Sequence, residues 1–366
     1  MASIRLEDIC LEYRGKEVCS DVSLSVGEGE LCALVGPSGC GKSVLLRIIT
    51  GLIKPTSGSV YIDDQLANKV PPGNRDIAMV FQSFALYPYM TVRENWAFPL
   101  RASKLPKEEI EVRIKTVSEF LDMDPLLDRH PKQLSGGQKQ RAALGRALVR
   151  RPRLFLLDEP LGSQDAKKRM ELATELKKLQ MDLGITTVLV TSDQIEAQAL
   201  GDKVAVMDMG SLRQVGSPEE VYEKPASLFV AGFIGSPPIN LLDCALERKD
   251  GQLYLTHPHF HLSLPAELAA KIEAQAQADS VVLGIRPEHI RVTADELPDS
   301  IAAQVYVLEP QSNEILVDLK VGDTVVRTRA DREDLGFQPR LDQEVFMILD
   351  KEFMHVFDKA TELRIH

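Results

Sequence analysis

The chain has no C-x-x-C pair. Its five cysteines, Cys10, Cys19, Cys32, Cys40 and Cys244, are odd in number and scattered, which speaks against both a disulfide framework and a zinc site. It has no basic surplus either. A net charge of -11 opposes a nucleic-acid role, which calls for clustered positive charge, although a local basic patch stays compatible with it. No apolar run approaches the roughly 20 residues of a membrane span. The start MASIRLEDICLEY carries charges where a signal peptide needs an apolar stretch. The expectation is a cytoplasmic protein that meets a membrane only through a partner. Tandem repeats and low-complexity tails are also missing.

What is present fits two domains. At 366 residues, with 44% hydrophobic and 27% charged, each half is long enough for its own core. Up to about residue 235, strand-like and helical runs alternate, which predicts an α/β domain around a largely parallel sheet. LCALVG (31–36), LFLLDE (154–159) and TTVLVT (186–191) read as strands buried on both faces. Leu172, Leu176, Leu179 and Leu183 form one helical stripe with Gly184 as its C-cap. Pro106 opens another stripe with Ile110, Ile114, Val117 and Leu121, predicting a helical insert over about 88–150. Residues 216–240, rich in Pro, Gly and Ser, read as a connector. Beyond it, GQLYLTH, VVLGIRP, AAQVYVLE, EILVDLKV, DTVVRTRA and EVFMILD predict a small all-β sandwich or barrel. The domains expected are therefore 1–235 and 236–366.

The chemistry starts at GPSGCGKS (36–43), which fits G-x-x-x-x-G-K-[ST] between an apolar strand and the helical run VLLRIIT. Glycines at Gly36, Gly39 and Gly41, with Ser38 and Cys40 between them, let successive N–H groups converge on phosphate at a helix N-terminus. Lys42 would neutralise the β- and γ-phosphates, and Ser43 would ligate Mg²⁺. LFLLDEP then delivers Asp158 to hold magnesium and Glu159 to position and deprotonate the attacking water. In LSGGQKQR (134–141), Ser135, Gly136 and Gly137 start a helix whose glycines cost stability, which suggests close approach by another group.

In this order, the glycine loop, VFQSFALYP with Gln82, LSGGQ and LFLLDEP resemble the ATPase subunits of ABC transporters. VFQSFALYPYMTVRENWAFPL, GSPEEVYEKPASLFVAGFIGSPPIN and LGIRPEHI resemble the carbohydrate-importer subgroup. The resemblance implies a P-loop NTPase domain with a helical subdomain and a C-terminal OB-type regulatory domain. It implies a head-to-tail dimer with two ATPs, each held by residues 36–43 of one subunit and by Ser135, Gly136, Gly137 and Gln138 of the other. Gln82 would join the Mg²⁺ and water network, and Tyr13 would stack on adenine with Val18 beside it. Integral permease subunits would dock on the helical insert, with an extracytoplasmic solute-binding protein as indirect partner. The chain would then lie peripherally on the cytoplasmic face of the cell membrane. A sugar, oligosaccharide or polyol is the favoured solute; polyamine, iron and other anion importers share the architecture.

Three departures qualify this. Ser192 stands in V-T-x-D-Q-x-E-A where the family usually has a histidine that contacts the γ-phosphate. Serine reaches less far and donates one hydrogen bond. Asp193 and Glu196 also read as a capping box for the following helix. Gly162 and Gln164 replace the usual serine and leucine in a segment that keeps Asp165 and crosses the dimer interface. Val44 lacks a hydroxyl commonly offered to the α-phosphate. A catalytically weakened, ATP-binding regulatory subunit in an asymmetric dimer is therefore the alternative, and the sequence does not choose between homodimer and heterodimer. A soluble ABC protein of translation or DNA repair would want a second cassette or a coiled-coil insertion, and neither is here. His257, His259 and His261 have metal-ligand spacing, but an exposed polar face is the simpler account. Cys40 reads as a small residue tolerated in a tight loop rather than as a reactive thiol.

Overall fold

The computed structural model describes residues 2–162, 166–276, 279–333 and 335–365, with backbone alone at 166–168. They divide between Glu220 and Val221 into two compact units. In the first, β1 (Ile4–Tyr13) and β2 (Lys16–Val26) alternate buried and open positions, as half-buried strands do. The chain continues through β3 (Leu31–Val35), α1 (Lys42–Thr50), β4 (Ser57–Ile62), β5 (Gln65–Leu66) and β6 (Ile77–Val80). The helical insert follows as α2 (Val92–Ala102), α3 (Lys107–Phe120) and α4 (Gly136–Leu148). Then come β7 (Leu154–Asp158), α5 (Ala166–Leu183), β8 (Thr186–Thr191), α6 (Gln194–Leu200), β9 (Lys203–Asp208) and β10 (Ser211–Gly216).

The central sheet has the order β10-β9-β3-β8-β7-β6. β3 runs parallel to β8 and β9, and β7 runs parallel to β6 and β8. Every residue of β3, β7 and β8 is buried, which is why their sequences are unbroken apolar runs rather than alternating ones. Three neighbouring strands therefore deliver Gly36, Glu159 and Ser192 to one edge of the sheet. A separate antiparallel sheet, β2-β1-β4-β5, was not distinguished by the sequence pattern.

The insert follows its predicted stripe. Ile110 and Ile114 are buried on α3 and Leu121 closes it. Thr91 and Glu94 form a full capping box at α2, and Trp96 Nε1 donates to the carbonyl of Ala142 at 2.7 Å, tying α2 to α4. On α5, Leu176 and Leu179 are buried, whereas Leu183 at its end is exposed.

Arg75 is buried beneath the end of α1. Its guanidinium donates to the carbonyls of Ile48 (3.1 Å) and Ile49 (2.6 Å) in the last turn of α1 and to those of Ala67 (2.7 Å) and Val70 (3.0 Å) in the loop that follows β5. This ties the helix end, whose last carbonyls lack intrahelical donors, to that loop. Arg75→Ala is expected to lower the stability of the first unit by about 2–4 kcal/mol. Urea unfolding followed by circular dichroism measures this; an unchanged midpoint would show that these carbonyls find other donors.

α7 (Pro218–Glu223) and α8 (Leu228–Phe233) lie in the segment read as a connector. The second unit then builds β11 (Asn240–Lys249), β12 (Gln252–His257), β13 (Phe260–Ser263), α9 (Ala266–Gln275), β14 (Ser280–Ile285) and β15 (Ile290–Thr293). After these come β16 (Ile301–Pro310), β17 (Glu314–Val321), β18 (Thr324–Asp331), β19 (Glu344–Leu349) and β20 (His355–Asp358). Two sheets result, β13-β12-β11-β14-β20 and β15-β19-β16-β17-β18. They share one core, to which Leu242, Leu255 and Leu283 contribute from the first and Val305, Val317 and Met347 from the second. The unexpected addition is α9, a short helix that buries Leu268 and Ile272, four residues apart.

The histidines do not form an exposed strand face. His257 is buried and stacks on its cross-strand partner Phe260 at 4.7 Å, while Pro258 and His259 make the turn between β12 and β13. The turn takes His259 out of the strand's alternation, so the three rings do not line up. Among the described residues no group of three His, Cys, Asp or Glu is arranged to hold a metal.

Candidate nucleotide site

The loop between β3 and α1 is shaped by what its glycines permit. A Cβ on Gly36 would lie 2.0 Å from the carbonyl oxygen of Met207. Gly41, at φ +109, would place one 2.9 Å from the carbonyl of Val18. Ser38 and Gly39 are exposed at the tip, and Gly210 N–H holds the loop from below through the Cys40 carbonyl at 3.0 Å. The N-terminus of α1 has no side-chain cap and no acidic residue in its first turn, leaving its N–H groups for an anion. Lys42 is 5% exposed and donates to the carbonyls of Gly36 (2.7 Å) and Pro37 (2.9 Å). No described carboxylate pairs with it, so a buried ammonium stands at an anion-binding helix end. That fits a polyphosphate. Val44 is half-buried and packs on the core below.

Cys40 is buried, and burial pushes its thiol above the ordinary range, with Lys42 pulling it back. A buried thiol with little thiolate is a poor nucleophile, in keeping with a packing role.

Ser43 Oγ donates to Asp158 Oδ1 at 2.7 Å. A hydroxyl and a carboxylate oxygen side by side form the hard oxygen pair that suits Mg²⁺. The next residue, Glu159, has φ +45, a left-handed conformation uncommon for a non-glycine residue and frequent at functional sites. Its N–H is held by the Val190 carbonyl at 2.8 Å, and its Oε2 accepts from Gln82 Nε2 at 2.7 Å. Ser43 and Asp158, and Gln82 and Glu159, are thus hydrogen-bonded pairs, with Lys42 next to Ser43 and Asp158 next to Glu159 in the chain.

What fixes Gln82 has no signature in the residue pattern. Phe84 and Ala85, just beyond it, have φ +61 and +48. Their carbonyls accept from Arg146 of α4 at 3.1 and 2.6 Å. Spacing carries no signal for a contact between residues so far apart in the chain.

Ser192 is exposed between β8 and α6. Asp193 caps α6, accepting from the N–H groups of Ile195 (2.9 Å) and Glu196 (3.3 Å). The capping box is only half made. Asp193 N–H goes instead to Thr191 Oγ1 at 3.0 Å, and Glu196 turns inward to accept from that same hydroxyl at 2.7 Å. Thr191 wins because its hydroxyl, fixed at the end of β8, offers both a donor and an acceptor.

Ser135 caps α4 and forms a full capping box with Gln138. Together with Gly136, Gly137, Arg141, Glu171, Leu172 and Glu175 they line a cavity of about 300 Å³ that takes no residue from 36–43. No hydrogen bond among the described residues joins this cap to the loop. Tyr13, 61% exposed, carries the Arg14 guanidinium over its ring at 5.4 Å, and half-buried Val18 lies on the loop's flank. A Cβ at Gly162 would meet nothing closer than 3.7 Å, so space does not demand glycine there. Gln164 and Asp165 lie outside the described residues.

Three family models match the chain: ABC transporter over residues 19–162, MalK OB fold domain over 235–290 and TOBE domain over 283–357. The chain is 46% identical to the trehalose/maltose import ATP-binding protein MalK of Thermococcus litoralis, over 99% of both chains. It is 41% identical to the sn-glycerol-3-phosphate import ATP-binding protein UgpC of Psychromonas ingrahamii, over 100% of this chain and 96% of that one. Among solved structures, a dimeric post-hydrolysis state of the ATP-binding cassette MJ0796 bound to ADP and Pi superposes with a TM-score of 0.54. It is 33% identical and covers 59% of this chain and 98% of its own. Loop, carboxylates and LSGGQ helix therefore sit in a chain that belongs to the ABC transporter ATP-binding proteins, with a C-terminal part of the MalK OB and TOBE type.

Proposed function

We propose that this chain is the motor subunit of an ABC importer for a sugar or related polyol, binding ATP and hydrolysing it to drive transport. The observation that carries the reading is the convergence of buried Lys42 with the pairs Ser43–Asp158 and Gln82–Glu159, each at 2.7 Å. Lys42 and the N–H groups of residues 38–43 hold the phosphates, and Tyr13 with Val18 receives the adenine. Ser43, Asp158 and Gln82 hold Mg²⁺, which when bound neutralises phosphate charge. Glu159, fixed by Val190 and Gln82, orients the water and takes its proton.

Ser135, Gly136, Gly137 and Gln138, with Asp165, serve the nucleotide of a second copy or a second ATPase. Within one chain, Ser135 and Gln138 form a helix tip that no hydrogen bond among the described residues joins to residues 36–43, and this supports a shared site. The permease partners dock on the helical insert, where Met79, Tyr87, Phe98, Ala143 and Arg146 line a cavity of about 400 Å³. The chain is placed peripherally at the cytoplasmic face through those partners, a reading that rests on its import ATP-binding relatives; no helix of the described residues is long and apolar enough to cross a membrane. The carbohydrate class rests on the relatives' names: trehalose or maltose, and glycerol phosphate. Co-expression with candidate permease genes tests the reading. A purified complex should hydrolyse ATP faster when its solute and solute-binding protein are added. Failure to associate with any permease would overturn it.

A further inference from the structure

The β8–α6 turn contains a carboxyl group that the proposed mechanism does not use. Glu196 is 3% exposed. Its Oε2 accepts from Thr191 Oγ1 at 2.7 Å, while its Oε1 is buried with no hydrogen-bond partner. Thr191 is not a remote anchor. It pairs in register with Val35, the residue before Gly36, and the carbonyl of its neighbour Val190 holds the Glu159 N–H at 2.8 Å. The same hydroxyl also receives the Asp193 N–H at 3.0 Å. Ser192 thus lies between two residues that meet on one threonine oxygen, and Glu196 orients that oxygen.

The charged groups around Glu196 are Asp193 on the turn, Arg169 on α5 and Glu159 after β7. Arg169 is already engaged by Asp193 at 2.5 Å, and Lys177 pairs with Asp202 at the far end of α6. Glu196 itself makes no ion pair among the described residues, and Arg169 acts on it only from its place beside Asp193. A neutral acid would leave one hydroxyl unpaired; an ionised one would leave charge on a buried, unpaired oxygen facing two other carboxylates, which costs far more.

We propose that Glu196, kept as a neutral carboxylic acid, is a positioning residue for the turn that carries Ser192, so that nucleotide turnover requires it to remain neutral. Burial pushes this carboxyl up to about 7, with Asp193 and Glu159 adding to the rise and the Thr191 hydroxyl and Arg169 opposing it. A carboxyl raised by folding favours the native turn while protonated, and that contribution is lost as pH rises through about 7. Alkaline conditions therefore loosen the turn.

The proposal rests on the ATPase reading, and its test separates the two. Turnover and KM for ATP are measured across pH in the permease-bound complex, wild type beside Glu196→Gln, which is neutral at every pH and still accepts from Thr191. Wild-type kcat should fall roughly tenfold between about pH 7 and about pH 8.5. Glu196→Gln should stay within about twofold across that range, with KM unchanged in both. A flat wild-type profile, or a variant that falls with the wild type, overturns the proposal. If no complex hydrolyses ATP at any pH, the ATPase reading fails on its own. In that case, or if the variant does not fold, wild-type protein labelled with ¹³C-glutamate decides. One side-chain carboxyl titrating with a midpoint near 7 upholds the neutral acid, and all titrating in the ordinary range of about 4 overturns it.

Discussion

Glu159→Gln, assembled with its permease partners, is expected to lose about 10²–10⁴ in kcat while binding ATP as tightly as before. Glutamine keeps the shape of the site. Its side-chain oxygen can still accept from Gln82 Nε2, and its N–H still reaches Val190, so the left-handed backbone at this position is undisturbed. Only the basicity is removed. Single-turnover hydrolysis gives the rate and equilibrium binding of labelled ATP gives the affinity. Turnover within about tenfold of wild type would assign the proton to another group. Affinity lost together with rate would mean that Glu159 contributes to holding the nucleotide and not only to the reaction.

The second large effect is expected at Ser192. Ser192→His should raise kcat by about 10²–10³, because a donor reaching developing negative charge is worth that much. The KM for ATP should scarcely change. The serine is exposed, and its short hydroxyl would reach a phosphate only through a bridging water or a closer backbone, an arrangement less preorganised than a direct imidazole contact. Capping of α6 does not depend on this residue, since Asp193 supplies it, so the substitution tests reach rather than helix stability. Steady-state hydrolysis by the native and substituted complexes, side by side, measures it. A native complex that turns over rapidly and gains nothing from histidine would show that another group performs the task and that Ser192 does not mark a weakened subunit.

Legibility in the sequence followed the range over which each feature is encoded. The phosphate loop was readable because eight consecutive residues specify it: glycines where backbone must approach Met207 and Val18, then a lysine and a hydroxyl. The strands β3, β7 and β8 were readable because burial on both faces leaves an unbroken apolar run. The Asp193–Glu196 spacing was read as a reciprocal cap, and only Asp193 behaves that way. Thr191 competes for both groups, and a local spacing rule does not rank such competitors. Arg146 was missed for a related reason. Its partners Phe84 and Ala85 lie about sixty positions earlier, and they are carbonyls, which every residue has. The positive φ of Glu159 accompanies an N–H donated to the Val190 carbonyl of the neighbouring strand, and so has no signature in its own segment. In the C-terminal half, α9 escaped notice because its inward face is two residues wide among alanines and exposed charges.

The order of strands also assigns different stiffness to the parts of the site. β3, β8 and β7 are flanked on both sides by other strands, whereas β6 lies at the rim, with β7 its only neighbour among the described strands. The glycine loop at 36–43 and the two carboxylates therefore stand on the least deformable portion of the sheet. Gln82 hangs from its margin, two residues past the end of β6, and the insert helix α4 grips the adjoining backbone through Arg146. Under the proposed function, a displacement of the helical insert would act first on Gln82 and on its contact with Glu159. Force from a docked permease would then enter the site through that amide contact, and the reverse signal would leave by the same route.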